Sequence, residues 1–280
     1  EFAVKVIKEG ADDYILKNNM MRLPSAIDNA IKKKKAERER EQTLAQLLLT
    51  NNELNTFVYK ATHDLRGPLT SIMGLTNLAQ REEDDSRLRA YVKMIGETTE
   101  KLDEVLLSLI ETMAIKNAQL TKEEINLPRL IPDILKNLRF VQGFDRVRFN
   151  LNISMTSAFI SDKRILNSVL QNLIENSIRY QDHSKAISEV NISIADHKDG
   201  AMFEVADNGI GISENIQEKI FDMFYRGHTG SKGSGLGLYI LKNGVQRLGG
   251  KFELKSKPGF GTSFCIFLPS LQREDATVLP

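Results

Sequence analysis

His63 and Asp64 stand side by side in "ATHDLRGPLTSI" (Ala61–Ile72), just ahead of Pro68, and His63 is one of only four histidines in the chain. A neutral imidazole is a good nucleophile near neutral pH, and an adjacent carboxylate can fix its tautomer and accept charge as a bond forms at the other nitrogen. On a helix, Val58, Ala61, Leu65, Leu69 and Ile72 fall on one arc, and His63 lies roughly 175° from its centre. His63 is therefore expected to face water. A packing histidine would sit on the stripe, which leaves a solvated surface histidine as the plain alternative. Pro68 removes a backbone donor and is expected to bend the helix just after the histidine.

Three more groups are suited to chemistry. In "QNLIENSIRY", Asn172 and Asn176 are spaced i, i+4 on one helix face, with Arg179 and Tyr180 one turn on. Two amides beside an arginine are often surface polarity, but an amide oxygen can also complete the octahedron of a Mg²⁺ held otherwise by phosphate and water. In "VADNGIGI", Asp207 ends a strand before Gly209 and Gly211, a pattern that alone is an ordinary turn. In "GSKGSGLGLYI", Gly230, Gly233, Gly235 and Gly237 run into a helix, where backbone amides and the dipole can meet phosphate. A flexible linker would account for the glycines, but not for their passing straight into "LGLYILKNGVQRL".

These groups need elements to hold them. Residues 27–118 read as two long helices. Leu47, Leu54, Val58, Ala61, Leu65, Pro68 and Ile72 form a heptad seam on the first, interrupted by Asn51, and Leu88, Val92, Ile95, Thr99, Leu102, Leu106, Leu109 and Met113 form one on the second. "REEDDSR" between them is a polar connector, so an antiparallel hairpin is expected. Two amphipathic helices cannot close their own apolar stripe, and pairing with a second copy into a four-helix bundle does so; a homodimer is expected. The run "KKKKAERERE" is balanced by Glu37, Glu39 and Glu41 and reads as a solvated helix face.

From Glu124 the pattern becomes α+β. A short strand and helix lie in "INLPRLIPDILKNLRF", a strand in "VRFNLNIS", and a helix with Ile165, Val169, Leu173 and Ile178 inward in "DKRILNSVLQNLIENSIRY". Two strands flank a Lys198-Asp199-Gly200 turn, and "GGKFELKSKPGFGTSFCIFLP" gives another pair, with Cys265 expected as a buried core thiol.

With 280 residues and 41% hydrophobic content, the chain has room for about two domains of ordinary size. A net charge of +1 gives no field favouring nucleic acid, no apolar run is long enough for a bilayer, and one cysteine permits no disulfide or zinc framework. The expectation is a soluble, cytoplasmic chain with no nucleic-acid partner and no membrane segment. A first residue of Glu rather than Met suggests that something precedes it.

Order and spacing of these groups resemble the sensor histidine kinases of two-component signalling over about residues 40–270, and "NNELNTFVYKATHDLRGPL" looks like the hybrid and phytochrome-type subgroup. The resemblance implies a multidomain chain: an all-α hairpin forming a dimeric four-helix bundle, then an α+β sandwich of the GHKL type. It implies a linker helix over 27–60, a dimerisation and phosphotransfer hairpin over 40–118, an ATP-binding domain over 119–270, and a disordered tail over 271–280. Residues 1–30 resemble the end of a receiver domain, with Lys17 at its lysine and Asn18 where a proline is usual; its acceptor aspartate would lie upstream.

By that resemblance His63 is the phosphoacceptor and Asp64 its base or orienter. Asn172 and Asn176 match the N-box, with Asn176 holding Mg²⁺. Asp207, Gly209 and Gly211 match the first glycine box, and Asp207 accepts from the adenine amino group. Tyr180 packs near the base, while Arg179 and Arg226 neutralise phosphate. "IFDMFYRG" looks like the F-box, with Phe221, Phe224 and Tyr225, and Gly233, Gly235, Leu236 and Gly237 form the second glycine box. Gly261 and Thr262 match its last strand pair. The implied activity is ATP-dependent autophosphorylation and transfer to a receiver aspartate in a response regulator. Gly67, four after the histidine, departs from the polar residue of relatives that also dephosphorylate. The alternatives are a GHKL-type ATPase, disfavoured because Asn172 replaces its glutamate base, and a catalytically silent docking module.

Overall fold

The computed structural model describes residues 20–117, 119–227 and 235–271. The receiver-like stretch up to residue 19, Gly233 and the tail from residue 272 lie outside the described residues. Helix α1 (Leu23–Ala79) is unbroken through Pro68, and helix α2 spans Asp85–Asn117. Residues up to Tyr59 and residues from Lys60 onward form two separate units. In the first unit the basic run is exposed and laced by i, i+4 pairs such as Lys32 with Asp28 at 2.6 Å, so it is the solvated face expected. The hairpin connector is shaped by Asp84, whose Oδ1 accepts from the backbone N–H groups of Ser86 and Arg87 and caps α2.

The inward residues of the hairpin follow a 4-3 repeat. On α1 they are Ala61, Leu65, Pro68, Ile72, Leu75 and Ala79; on α2 they are Leu88, Tyr91, Ile95, Thr98, Leu102, Val105 and Leu109. On α2 the expected seam is correct for half its positions and displaced by one residue at the others; on α1 Ala61, Leu65, Pro68 and Ile72 turn inward as expected, whereas Leu47, Leu54 and Val58 are exposed. Tyr91, Thr98, Val105 and Thr112 turn inward where Val92, Thr99, Leu106 and Met113 were expected, and Val92, Leu106 and Met113 are exposed. Each helix has an apolar face too broad for one neighbour, and the hairpin covers only part of it.

The rest is an α+β layer structure. Strands β1 (Glu123–Glu124) and β3 (Ile160–Ser161) form a small antiparallel pair. Strands β2 (Val147–Ser154), β4 (Ser188–His197), β5 (Gly200–Asp207), β6 (Lys251–Lys257) and β7 (Gly261–Pro269) form a mixed sheet in the order β2-β4-β5-β7-β6, parallel only between β2 and β4. The β4–β5 turn takes Lys198 to φ 48°, as the sequence anticipated for a tight hairpin. Helices α3 (Leu127–Leu138), α4 (Lys163–Arg179) and α5 (Gly237–Arg247) cover one face.

Alternation places Val190, Ile192, Ile194, Phe203, Val205, Phe264, Ile266 and Leu268 in the core, against Ile165, Val169, Leu173 and Ile178 of α4. Cys265 corrects the expectation of a core thiol. Its neighbours Phe264 and Ile266 take the inner face, so strand alternation puts Cys265 on the outer one, half-buried.

Two anchors relate this layer to its surroundings. Buried Asp162 caps α4 by accepting from the N–H groups of Arg164 and Ile165, and it also accepts from Thr121 N at 2.8 Å, fixing the segment that leads in from α2. Ser168 Oγ on α4 donates to Glu111 on α2 at 2.5 Å, and the Lys116 ammonium lies 5.6 Å from the Tyr239 ring centre.

Candidate active site

On α1, His63 Nδ1 lies 2.9 Å from Asp64 Oδ1, with the His63 side chain 75% exposed and that of Asp64 34%. The imidazole faces water as its helical phase required. With Nδ1 engaged by the carboxylate, Nε2 is the nitrogen left for an incoming electrophile. Pro68 has no N–H to give to the carbonyl of Asp64, so this turn of the helix lacks one rung beside the histidine.

A cleft opens between α4 and the strand ends. Asp207 forms its floor at the end of β5. Its Oδ1 accepts from Gly209 N at 2.9 Å and Thr262 N at 3.2 Å, and its Oδ2 accepts from Ser177 Oγ at 3.1 Å. Burial pushes the Asp207 carboxyl above its ordinary value, against these hydrogen bonds and the charge of Lys185. Tyr180, Asn176, Gly211, Arg226 and Thr262 line the same space, closed by the apolar walls of Leu173, Ile212 and Phe264. Gly211 has φ 70°, and a Cβ there would lie 2.1 Å from Lys257 O, so no larger residue fits the turn.

A second cleft shares Asn176 and Tyr180 and continues toward α2, where Glu104, Leu107 and Ser108 border it. Its other side carries Asn172, Glu175, Arg179, Gly235 and Gly237. Gly237 opens α5 with no side-chain cap, and a Cβ on it would come 2.7 Å from Asn172 Oδ1. That close approach is what brings the α5 N-terminus against the two asparagines.

Asn172 is engaged, donating to Ser168 O at 2.9 Å, whereas the buried Nδ2 of Asn176 has no partner. An unpaired buried amide facing a cleft is costly without a ligand, and an Asn amide offers either an oxygen or a nitrogen. No cluster of three or more His, Cys, Asp or Glu able to hold a metal occurs among the described residues. A single amide oxygen fits a Mg²⁺ whose other ligands are phosphate and water.

Thus the structure brings together Asn172, Asn176, Arg179, Tyr180, Asp207, Gly209, Gly211, Arg226, Gly235, Gly237 and Thr262. Arg179 arrives already paired, giving Glu175 Oε1 hydrogen bonds from Nε at 2.8 Å and Nη2 at 2.6 Å. Two expected residues stand behind the walls. Leu236 is fully buried in the core, and Leu238, two residues on, takes the lining position. Phe224, at φ 61°, packs its backbone against Gly235, while Tyr225 lines both clefts. Ser177 and Ile210 were also missed, though Ser177 adjoins Asn176 in sequence and faces the Asp207 turn.

Residues 53–115 match the family described as His Kinase A (phospho-acceptor) domain, and residues 161–272 match Histidine kinase-, DNA gyrase B-, and HSP90-like ATPase. Cyanobacterial phytochrome B of Nostoc sp. (strain PCC 7120) is 31% identical over 260 residues, 90% of this chain and 34% of that protein. Methanogenesis regulatory histidine kinase FilI of Methanothrix harundinacea is 26% identical, covering 84% of this chain and 27% of that protein. Aerobic respiration control sensor protein ArcB of Escherichia coli K12 is 28% identical, covering 84% and 31%. The chain thus spans only about a quarter to a third of the length of these relatives.

Among solved structures, Acinetobacter baumannii histidine kinase AdeS has TM-score 0.58 at 20% identity, covering 75% of this chain and 98% of that one. Histidine kinase ThkA in complex with response regulator protein TrrA has TM-score 0.60 at 21% identity, covering 85% and 66%. These two agree on the fold. With the phosphoacceptor and ATPase domains matched in that order over more than half its length, this chain belongs to the histidine kinases.

Proposed function

We propose that the chain is an ATP-dependent protein-histidine kinase that phosphorylates its own His63 and passes the phosphoryl group to a receiver aspartate of a response regulator. The observation that carries this reading is the pairing of a water-facing, carboxylate-oriented imidazole with a cleft holding an acceptor, Asp207, and an unpartnered amide nitrogen, Asn176 Nδ2, a donor suited to a phosphate oxygen. In it, Asp207 accepts from the adenine amino group, the apolar walls enclose the base, and the triphosphate runs toward Asn176 and the α5 N-terminus. Bound Mg²⁺, held by Asn176, would neutralise triphosphate charge. His63 Nε2 attacks the γ-phosphorus as its bond to the bridging oxygen breaks, ADP leaves, and the Nδ1 proton passes toward Asp64. For attack to be in line, the ATP-binding layer must move against the hairpin, exchanging contacts such as Ser168 with Glu111.

Hydrolysis of ATP is the weaker reading. Asn172 cannot take a proton from water, and Glu175, the carboxylate α4 offers to the cleft, is engaged by Arg179. A chain working on ATP with a receiver partner would act in the cytoplasm, the location proposed here; no helix among the described residues is long and apolar enough to cross a membrane.

The uncovered apolar stripe of the hairpin is the surface for a homodimer, closing a four-helix bundle. Leu106→Glu together with Met113→Glu is expected to convert the dimer to monomer in sedimentation equilibrium without lowering nucleotide affinity. A double variant that stays dimeric removes this stripe from the interface. ThkA was solved in complex with a response regulator, and a receiver domain is the corresponding partner proposed here.

Gly67 has no atom within 4 Å of where a Cβ would lie, so a larger side chain fits there without moving anything. Gly67→Thr is expected to raise dephosphorylation of the phosphorylated partner several-fold by supplying a hydroxyl to orient water. Equal phosphatase rates for the two proteins would show that the missing polar group is not limiting.

Autophosphorylation itself is tested by incubating the protein with labelled ATP and Mg²⁺: label on the wild-type chain supports the reading, and label retained on His63→Gln removes it.

A further inference from the structure

Lys185 lies in the loop after α4, outside every motif described above, and its side chain is half-buried. Its Nζ donates to the carbonyl oxygen of Asn208 at 2.5 Å and to that of Gly259 at 2.8 Å. These carbonyls belong to the two turns that frame the Asp207 end of the cleft. Asn208 follows Asp207 directly, and Gly259 sits in the β6–β7 turn, where Gly259 N also donates to Ile210 O at 2.8 Å. The turns are tightly apposed, since a Cβ on Gly261 would lie 2.0 Å from Asp207 O. Two carbonyl dipoles converging on one point repel, and a single ammonium between them turns that repulsion into two charge-assisted hydrogen bonds.

We propose that Lys185 is a positioning residue for nucleotide binding: its ammonium clamps the Asp207 turn to the β6–β7 turn and so fixes the carboxylate that meets adenine. This rests on the reading of Asp207 as the adenine acceptor. The clamp has a second effect through charge. Burial favours the protonated form of Asp207, and the positive charge of Lys185 opposes it. The other ionisable side chains bordering that cleft are Tyr180, Tyr225 and Arg226. Around the clamp, Glu189 of β4 is paired with Arg148 at 3.5 Å, and Asp182 and His183 lie in the Lys185 loop, with Asp182 bonded to Ser184 and His183 to Arg146.

The experiment is a calorimetric titration of the full chain with a non-hydrolysable ATP analogue and Mg²⁺ from about pH 5 to pH 8, on wild type, Lys185→Met, Lys185→Arg and Asp207→Ala. Removing the charge makes Asp207 harder to ionise, so the pH at which affinity is lost on acidification should rise in Lys185→Met. Its affinity at neutral pH should fall about tenfold or more, since both charge-assisted hydrogen bonds that join the two turns are lost. Lys185→Arg keeps the charge and should keep the wild-type acid limb with affinity within about threefold. Wild-type affinity and an unmoved acid limb in Lys185→Met would overturn the proposal. So would an Arg variant that weakens as far as Met with no pH shift in either, which is the mark of a merely structural lysine. Should wild type and Asp207→Ala bind alike, the adenine reading itself fails, and the clamp loses its role with it.

Discussion

His63→Gln is expected to leave no phosphoryl label on the protein while nucleotide affinity stays within a few-fold of wild type. Glutamine keeps a polar side chain of similar reach, but its amide nitrogen carries no basic lone pair, so the bond to phosphorus cannot form. The side chain is exposed and its hydrogen-bond partner is the neighbouring Asp64, so the substitution takes no core packing away. The ATP cleft is built from α4, α5 and the strand ends, and none of those elements needs the imidazole. Phosphorylation by thin-layer or gel autoradiography and binding by calorimetry, on the same preparation, separate the two effects. Asp64→Asn should fall between: the ring keeps a neighbour to Nδ1, but no group remains to take its charge, and a loss of about 10²-fold in rate follows the usual worth of general-base assistance.

The second large effect is at Asp207, where stability and binding should move in opposite directions. Asp207→Asn preserves shape: the amide oxygen can still accept from Gly209 and Thr262, and the nitrogen can donate to Ser177 Oγ. Nucleotide affinity should nevertheless fall by more than tenfold, because one charge-assisted acceptor for the adenine amino group is replaced by a neutral or donating one. Stability follows from linkage. Burial holds the folded carboxyl above its unfolded value, so the folded state keeps the proton longer, and the group's contribution is most favourable below the unfolded pKa and is lost as pH rises through the folded one. At neutral pH the ionised Asp207 therefore costs the fold free energy, and Asp207→Asn should melt at the same or a higher temperature than wild type. Asn176→Ala tests the opposite wall: it removes an unpartnered buried amide and should lose Mg²⁺-dependent nucleotide binding with little change in melting temperature. A variant at either position that loses stability but keeps affinity would make the residue part of the scaffold instead of the site.

Much of this was legible in the residues. Strands of the ATP-binding layer read directly, because one face is buried and alternation at period two has no second solution; Val190, Ile192 and Ile194 against Asn191 and Ser193 is an example. The helical phase of His63 was equally plain, since a polar residue opposite an apolar arc has one place to go. The hairpin seam was harder. Val92 and Tyr91 are neighbours on a broad apolar face of α2, and spacing does not say which of them meets α1 and which a further partner.

Errors of one or two residues at the cleft have a similar origin. Leu236 and Leu238 flank the start of α5, where chain direction changes and neither period holds, so only the fold reveals that the first is core and the second is wall. Phe224 and Tyr225 differ by the left-handed backbone at Phe224, which no propensity foretells. Cys265 sits in an apolar run, yet the run is an alternating strand with one half-open face. Lys185 is the clearest case of what a linear reading misses. Its partners are 23 and 74 residues away, both are backbone carbonyls, and nothing in "QDHSKAI" marks them.

The most direct test is the chemical identity of the label. Purified protein incubated with γ-labelled ATP and Mg²⁺ should carry phosphate that is lost in acid and survives base, because a phosphorus–nitrogen bond to imidazole is activated when the ring nitrogen is protonated. Phosphate that resists acid, or label undiminished by His63→Gln, would mean that another side chain receives it and that the imidazole on α1 is not the acceptor.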